Sequence, residues 1–144
     1  MTHSFKIALW NANGLNQHNQ EVQLFMSLND IDIMLISETH FTNASYFKIP
    51  NHSVYFTNHP SNRAHGGSAI LIKSSIKHYV LPEYQYDCIQ GTSIVVEDLN
   101  GPLTMCSVYC PPRHNISDLQ FSNLFSCLGN KFISGGDCNA KNQL

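Results

Sequence analysis

FISGGDCNAKNQL, Phe132 to Leu144, is the stretch on which the reading of this chain turns. Phe132 to Ser134 is a short apolar run of the kind that forms a buried strand. It opens onto a polar tip, Gly135-Gly136-Asp137-Cys138-Asn139. Ligands gather at the carboxyl ends of strands in open α/β sheets, so such a tip is expected inside a domain, presenting side chains to a ligand. No helix follows it to cover one face, and a sheet left that way exposes apolar surface or an unpaired edge.

Upstream, three more strands end in polar residues. Phe5 to Trp10 alternates, turns apolar and ends at Asn11-Ala12-Asn13-Gly14. Ile31 to Ser37 is a continuous apolar run, as expected of a strand covered on both faces, and it ends at Glu38-Thr39-His40. Leu103 to Tyr109 is stopped by Pro111-Pro112. Further strands are expected at Val54–Thr57, Gly67–Lys73 and Ser93–Val96, with a polar loop from Asn58 to His65. Leu99-Asn100-Gly101-Pro102 is a hairpin turn, signalled by Asn-Gly. Two helices are expected. Asn19–Leu28 carries Val22, Phe25, Met26 and Leu28 at helical spacing. Ser117–Leu128 has Ser117 as N-cap and Leu119, Phe121, Leu124, Phe125 and Leu128 as its apolar set. This order of elements predicts a layered α/β domain with mixed sheets.

If the four strand ends converge, Asn11, Asn13, Glu38, Tyr109, Asp137 and Asn139 form an oxygen-rich pocket. Two close carboxylates repel, and without a cation one of them stays protonated. A hard divalent ion such as Mg²⁺ resolves this, because it takes few carboxylates and keeps waters and phosphate oxygens as its other ligands. The chemistry that fits is metal-assisted attack of water on a phosphoester. Taken one at a time, each residue also has an ordinary reading. Asn13 and Asn139 suit turns that need a left-handed backbone, Glu38 suits a solvated strand end, Asp137 caps a turn, and Tyr109 is a core aromatic with a wet hydroxyl. Gly66-Gly67-Ser68 lacks a following helix and reads as a turn into a strand.

The bulk composition bounds these readings. The 144 residues suffice for one domain, and 42% hydrophobic residues can fill its core. A net charge of −2 gives none of the basic excess that marks many nucleic-acid binders, though a metal ion can supply positive charge locally. Five cysteines, an odd number with no C-x-x-C, suit reduced core-filling thiols of an intracellular protein better than a disulfide frame. Cys138 has no basic partner in view and is expected to be inert. The histidines include His40, His59, His65 and His114 in loops, with no H-x-x-x-H spacing for zinc. No secretory signal or membrane-length apolar run is visible.

The ordered set of motifs carries a resemblance. Trp10-Asn11-Ala12-Asn13-Gly14-Leu15, Ser37-Glu38-Thr39-His40-Phe41, Gly66-Gly67-Ser68-Ala69-Ile70-Leu71-Ile72, Tyr109-Cys110-Pro111-Pro112-Arg113-His114 and Gly136-Asp137-Cys138-Asn139-Ala140-Lys141 together resemble the endonuclease/exonuclease/phosphatase superfamily. Within it they are most similar to the apurinic-type endonuclease domain of non-LTR retrotransposons of the jockey type. The resemblance implies a four-layer, DNase I-like α/β sandwich. It also implies a monomeric domain, linked to a reverse transcriptase, that nicks DNA in the nucleus to prime reverse transcription with Mg²⁺ or Mn²⁺.

By position, the resemblance makes Glu38 the main metal ligand, with Asn11 beside it. Asn13 stands where many relatives have Asp. Tyr109 touches the scissile phosphate, Asp137 orients or deprotonates the attacking water, and Asn139 bonds a phosphate oxygen. Cys138 replaces what is often a bulky apolar residue, and Asn142 stands where jockey-type relatives tend to have His. The superfamily continues past Asp-x-Asn to a further Asp and a final Ser-Asp-His, which these residues lack. Residues 1–144 are therefore expected to be the amino-terminal part of one such domain, with little or no nicking by themselves. Two alternatives remain open at this point: a phosphatase of the same superfamily acting on a small phosphoester, and a non-catalytic remnant that binds a partner over its open edge.

Overall fold

A computed structural model describes residues 4–139. The readings that fall on Ala140, Lys141 and Asn142 lie outside that range. The first sheet has the order β1-β2-β4-β3, formed by β1 (Ile7–Asn11), β2 (Ile33–Ser37), β3 (His52–Thr57) and β4 (Ser68–Lys73). β1 and β2 run parallel, with α1 (Asn19–Leu28) between them in the chain; β4 is antiparallel to β2 and to β3. β2 is buried at all five positions, as its continuous apolar run predicts.

The second sheet is built on a long hairpin of β7 (Ile89–Asp98) and β8 (Gly101–Tyr109). Asp98 pairs with Gly101, so the turn is Leu99-Asn100, and Gly101 at φ +103° takes the left-handed backbone position next to it. Two short strands, β5 (His78–Val80) and β6 (Tyr84–Tyr86), both pair with β7. β9 (Phe132–Asp137) lies parallel to β8 on its other side.

Three apolar clusters separate four layers. Val22 and Met26 of α1 pack on Met34, Ile36, Ala69 and Leu71. Between the sheets, Ile33, Leu35, Ile70 and Ile72 meet Ile94, Val96, Leu103 and Met105. Below the second sheet, α2 (Asp118–Ser126) sets Leu124 with Leu128 against Ile89, Cys106, Val108 and Cys110. Each such aliphatic side chain contributes about 1.5–3 kcal/mol by leaving water. The expected four-layer α/β sandwich is the observed architecture. α2 begins at a capping box: Ser117 Oγ accepts from the Gln120 N–H, and Gln120 Oε1 accepts from the Ser117 N–H.

The sheets are joined differently at their two ends. Away from the site the contact is aliphatic. Toward the carboxyl ends of β1 and β2 it becomes a seam of buried hydroxyls. Thr92 Oγ1 is 2.9 Å from both Ser68 Oγ and Thr57 Oγ1, Thr57 donates to the Gly91 carbonyl, and Ser107 Oγ donates to the Ile36 carbonyl at 2.9 Å. These polar residues hide β7 from a hydrophobicity reading, which finds only Ser93–Val96 of its ten residues.

Two expectations are corrected. Among the described residues β9 is an edge strand and not a buried one, and Ile133 is 44% exposed. β1 is the edge of the first sheet on the same side, with Leu9 exposed. The apolar set of α2 is also narrower than its sequence suggests. Leu119 faces solvent, and Phe125 lies at the rim, stacked between Phe121 and Phe132.

Candidate active site

Two glycines seat β9, Gly135 against the first sheet and Gly136 against β8. A Cβ on Gly135 would lie 3.1 Å from Leu9 Cδ1 and 3.4 Å from Leu35 Cδ1, so a side chain there would press on both leucines of the first sheet. Gly136 has φ +154°, and a Cβ there would collide with the Val108 carbonyl. This close approach lets Ser37, the buried last residue of β2, reach into the opposite sheet. Its hydroxyl accepts from the Asp137 N–H at 3.0 Å and donates to the Val108 carbonyl at 3.2 Å.

The same approach brings the strand ends together. Asn11 Nδ2 donates to Asp137 Oδ2 at 2.9 Å. Asp137 Oδ1 accepts from the Asn139 N–H at 3.1 Å, and Asn139 Nδ2 donates to the Cys110 carbonyl at 2.7 Å. Tyr109 pairs with Asp137 in the β8–β9 register, and its hydroxyl donates to Glu38 Oε1 at 2.7 Å. Asn13 contributes its backbone N–H, which donates to Asn11 Oδ1.

The loops that hold these residues are strained and tightly laced. Asn13 (φ 43°), Glu38 (57°), His40 (56°) and Asn139 (43°) all take left-handed backbone conformations without being glycine. Such conformations cost on the order of 1–3 kcal/mol each and cluster at functional sites. The lacing holds them. Gly14 N–H donates to the Glu38 carbonyl, Leu15 N–H to Thr39, Glu38 N–H to Gly67 and His40 N–H to Gly66, each at 2.9–3.0 Å.

Tyr109 is almost fully buried, and its phenol is pushed well above the usual range. Burial is the main cause, followed by its bond to Glu38 and the negative charges of Glu38 and Asp137. It is therefore a neutral donor with both carboxylates acting on one phenol. Glu38 spends Oε1 on this bond. With its second oxygen and the amide oxygen of Asn11, it offers hard oxygen donors. Among the described residues, no three His, Cys, Asp or Glu side chains gather on one point as a zinc cage would require. One carboxylate, an amide oxygen and waters are a donor set that suits Mg²⁺ or Mn²⁺.

The profile of the endonuclease/exonuclease/phosphatase family matches residues 8–143, which include every side chain of this site. The chain belongs to the endonuclease/exonuclease/phosphatase family. It is 38% identical over 138 residues to an RNA-directed DNA polymerase from the mobile element jockey of Drosophila funebris, a match that covers 96% of this chain and 15% of that protein. Its fold is similar to the endonuclease domain of TRAS1, a telomere-specific non-LTR retrotransposon. The TM-score is 0.72 at 17% identity, covering 95% of this chain and 61% of the other. The catalytic domain of Xenopus laevis APE2 gives 0.68 at 20% identity, covering 96% and 60%. The chain thus spans about a seventh of its mobile-element relative and about three-fifths of these solved domains.

Family motifs single out Asn11, Glu38, Tyr109, Asp137 and Asn139, and the structure brings all five to one end of the sandwich. They do not single out Ser37. The signal for it was a lone hydroxyl ending an aliphatic buried run immediately before Glu38. His59, one of the loop histidines, is 4% exposed and accepts from the Ser61 N–H at Nδ1, and its buried Nε2 has no partner among the described residues. Gly66 lies between it and Tyr109: a Cβ there would be 3.6 Å from His59 Cβ and 3.5 Å from Tyr109 Cε1.

Proposed function

We propose that this chain is the amino-terminal part of the DNA-nicking endonuclease domain of a jockey-type retroelement, a domain dependent on Mg²⁺ or Mn²⁺ and acting on nuclear DNA to supply an end for reverse transcription. One observation carries the reading: the ends of β1, β2, β8 and β9 converge, with Asn11 bonded to Asp137 and Tyr109 bonded to Glu38. The mobile-element relatives, named as RNA-directed DNA polymerases, supply the biological setting. Basic groups in the loops beside the site, Arg63, His65, Arg113 and His114, suit a polyanionic substrate despite the net charge.

In this mechanism Glu38 and Asn11 would hold the cation, which would supply positive charge to neutralise and polarise the phosphate. Asp137 takes the proton of the attacking water. Bonds from Asn11 and from the Asn139 N–H aim its two oxygens. Tyr109 stays protonated, and it offers its single O–H to the phosphate only by releasing Glu38 Oε1. Asn139 approaches a phosphate oxygen only by giving up its bond to the Cys110 carbonyl.

The test is conversion of supercoiled plasmid to open circles with Mg²⁺, using the domain carried in a full-length retroelement protein. Nicking is expected, with loss in Glu38→Ala and Asp137→Asn. The 144 residues, which contain no Ser-Asp-His, are expected to nick little or not at all alone. Undiminished nicking by both variants would overturn the assignment.

A further inference from the structure

Cys110 and Cys138 each follow directly on a site residue. Tyr109 and Asp137 form the last pair of the parallel β8–β9 ladder, so the next residues on the two chains are neighbours. Both backbones are held there: Cys110 N–H donates to the Asp137 carbonyl at 2.9 Å, and Asn139 Nδ2 bonds the Cys110 carbonyl. Both side chains belong to the cluster under α2. Adjacent strands stand about 4.8 Å apart, inside the roughly 4.4–6.8 Å range of Cα separations that a disulfide spans. Both thiols are reduced.

The pair is chemically asymmetric. The neighbouring Cys110 thiol lowers the Cys138 thiol to about 7, against the opposing effect of burial. Cys110, fully buried, is pushed up by its Cys138 neighbour and by burial. Cys138 is half-buried and so within reach of a small oxidant. The β8–β9 register gives Cys138 a thiol neighbour that the linear order does not show.

We propose that Cys110 and Cys138 form a redox-active dithiol that closes to a disulfide across the ends of β8 and β9 when a peroxide oxidises it. The Cys138 thiolate attacks one oxygen of hydrogen peroxide. The O–O bond breaks, hydroxide leaves and takes up a proton, and Cys138 becomes a sulfenic acid. The Cys110 sulfur then attacks the Cys138 sulfur. The S–O bond breaks, the S–S bond forms, and the departing hydroxide takes the Cys110 proton as water. Two thiols and one peroxide yield one disulfide and two waters. Closure ties together the residues that follow Tyr109 and Asp137. It does not depend on the nuclease reading.

The other thiols are poorer candidates. Burial raises Cys106 to about 11, and Cys127 is exposed, with its thiol donating to the Asn123 carbonyl. Cys88, the nearest competitor, accepts from Gln120 Nε2.

The test treats the whole folded chain with hydrogen peroxide, alkylates it, and maps its peptides by mass spectrometry. Expected are a loss of two hydrogen masses, one Cys110–Cys138 cross-link reversed by dithiothreitol, and free Cys106 and Cys127. In Cys110→Ser, a dimedone probe is expected to trap sulfenic acid at Cys138 about tenfold faster than at Cys127. No cross-link, a cross-link to Cys88 or Cys127 instead, or equal yields of all pairings in folded and urea-unfolded chain would overturn the proposal. The decisive mapping uses the unaltered chain, so a variant that fails to fold does not blunt it.

Discussion

Asn11 and Asp137 are 126 positions apart in the chain and 2.9 Å apart in space. That bond joins an edge strand of one sheet to an edge strand of the other. It also fixes the direction of the carboxylate to which the mechanism assigns the proton transfer, because one Asp137 oxygen is held by Asn11 and the other by the Asn139 N–H.

Asn11→Ala removes that restraint and a metal-side oxygen together. Nicking by the domain in a full-length element is expected to fall about a hundredfold, the scale of loss from misplacing a reacting group. The bond is exposed, so stability should change by only about 0.5–1.5 kcal/mol. Plasmid nicking read beside urea unfolding separates the two effects. A collapse of stability matching the loss of rate would contradict this role.

Ser37→Ala should act through Asp137. It strips a partner from the Asp137 N–H and from the Val108 carbonyl at a buried junction of the sheets. An expected loss of about 1–3 kcal/mol follows from leaving buried polar groups unpaired. Urea denaturation measures it, and an unchanged midpoint would mean that the hydroxyl bridge carries no weight.

Gly136→Ala tests whether close approach of β9 builds the site. The added methyl collides with the Val108 carbonyl, so β9 must shift or detach. Amide exchange should quicken along Phe132–Asp137 while β2 and β4 stay protected. Equal protection of β9 in both proteins would refute it.

Glu38→Gln keeps an oxygen for the Tyr109 bond but removes the charge. Mn²⁺ retention by the 144-residue chain, followed by electron paramagnetic resonance, is expected to weaken at least about tenfold, as loss of a charged ligand should exceed the effect of a supporting residue. Unaltered Mn²⁺ affinity would place the cation elsewhere.

His59 should make the fold acid-sensitive. Burial, then the positive field of His65, lowers its protonation range below the unperturbed value near 6.5; Asp87 opposes this, and Arg113 and His114 add to it. Above about pH 6.5 both folded and unfolded states are neutral at this residue, and its contribution is intact. Below that the unfolded chain takes up the proton first, so stability falls as pH drops toward the lowered folded value. Denaturation midpoints from pH 7.5 to 5 should show this slope, and His59→Gln should flatten it. An identical slope in the variant would assign the effect to another group.

Much of this was legible in the linear order. Asn11, Glu38, Tyr109, Asp137 and Asn139 could be named because each ends or follows an apolar run, and the carboxyl end of such a run is where an α/β sheet meets its ligands. Ser117 was legible as a cap because its partner Gln120 is three residues away. β5 and β6 were not legible: each is three residues long and exists only because β7 offers a ladder. Gln90 and Thr92 are buried polar residues of β7 whose partners Gly67, Ser68 and Thr57 come from the other sheet.

What the chain's order settled alone was local: which runs are apolar, where glycine or asparagine permits a left-handed turn, and which polar residues stand at strand ends. Pairing needed the tertiary structure. That Ser37 bridges Val108 and Asp137, that Cys138 has Cys110 for a neighbour, and that β9 lies beside β8 all depend on residues 28 to 100 positions away. Hydrogen bonds and thiol contacts act over a few ångströms of space, and no spacing along the chain specifies which distant group will lie within them.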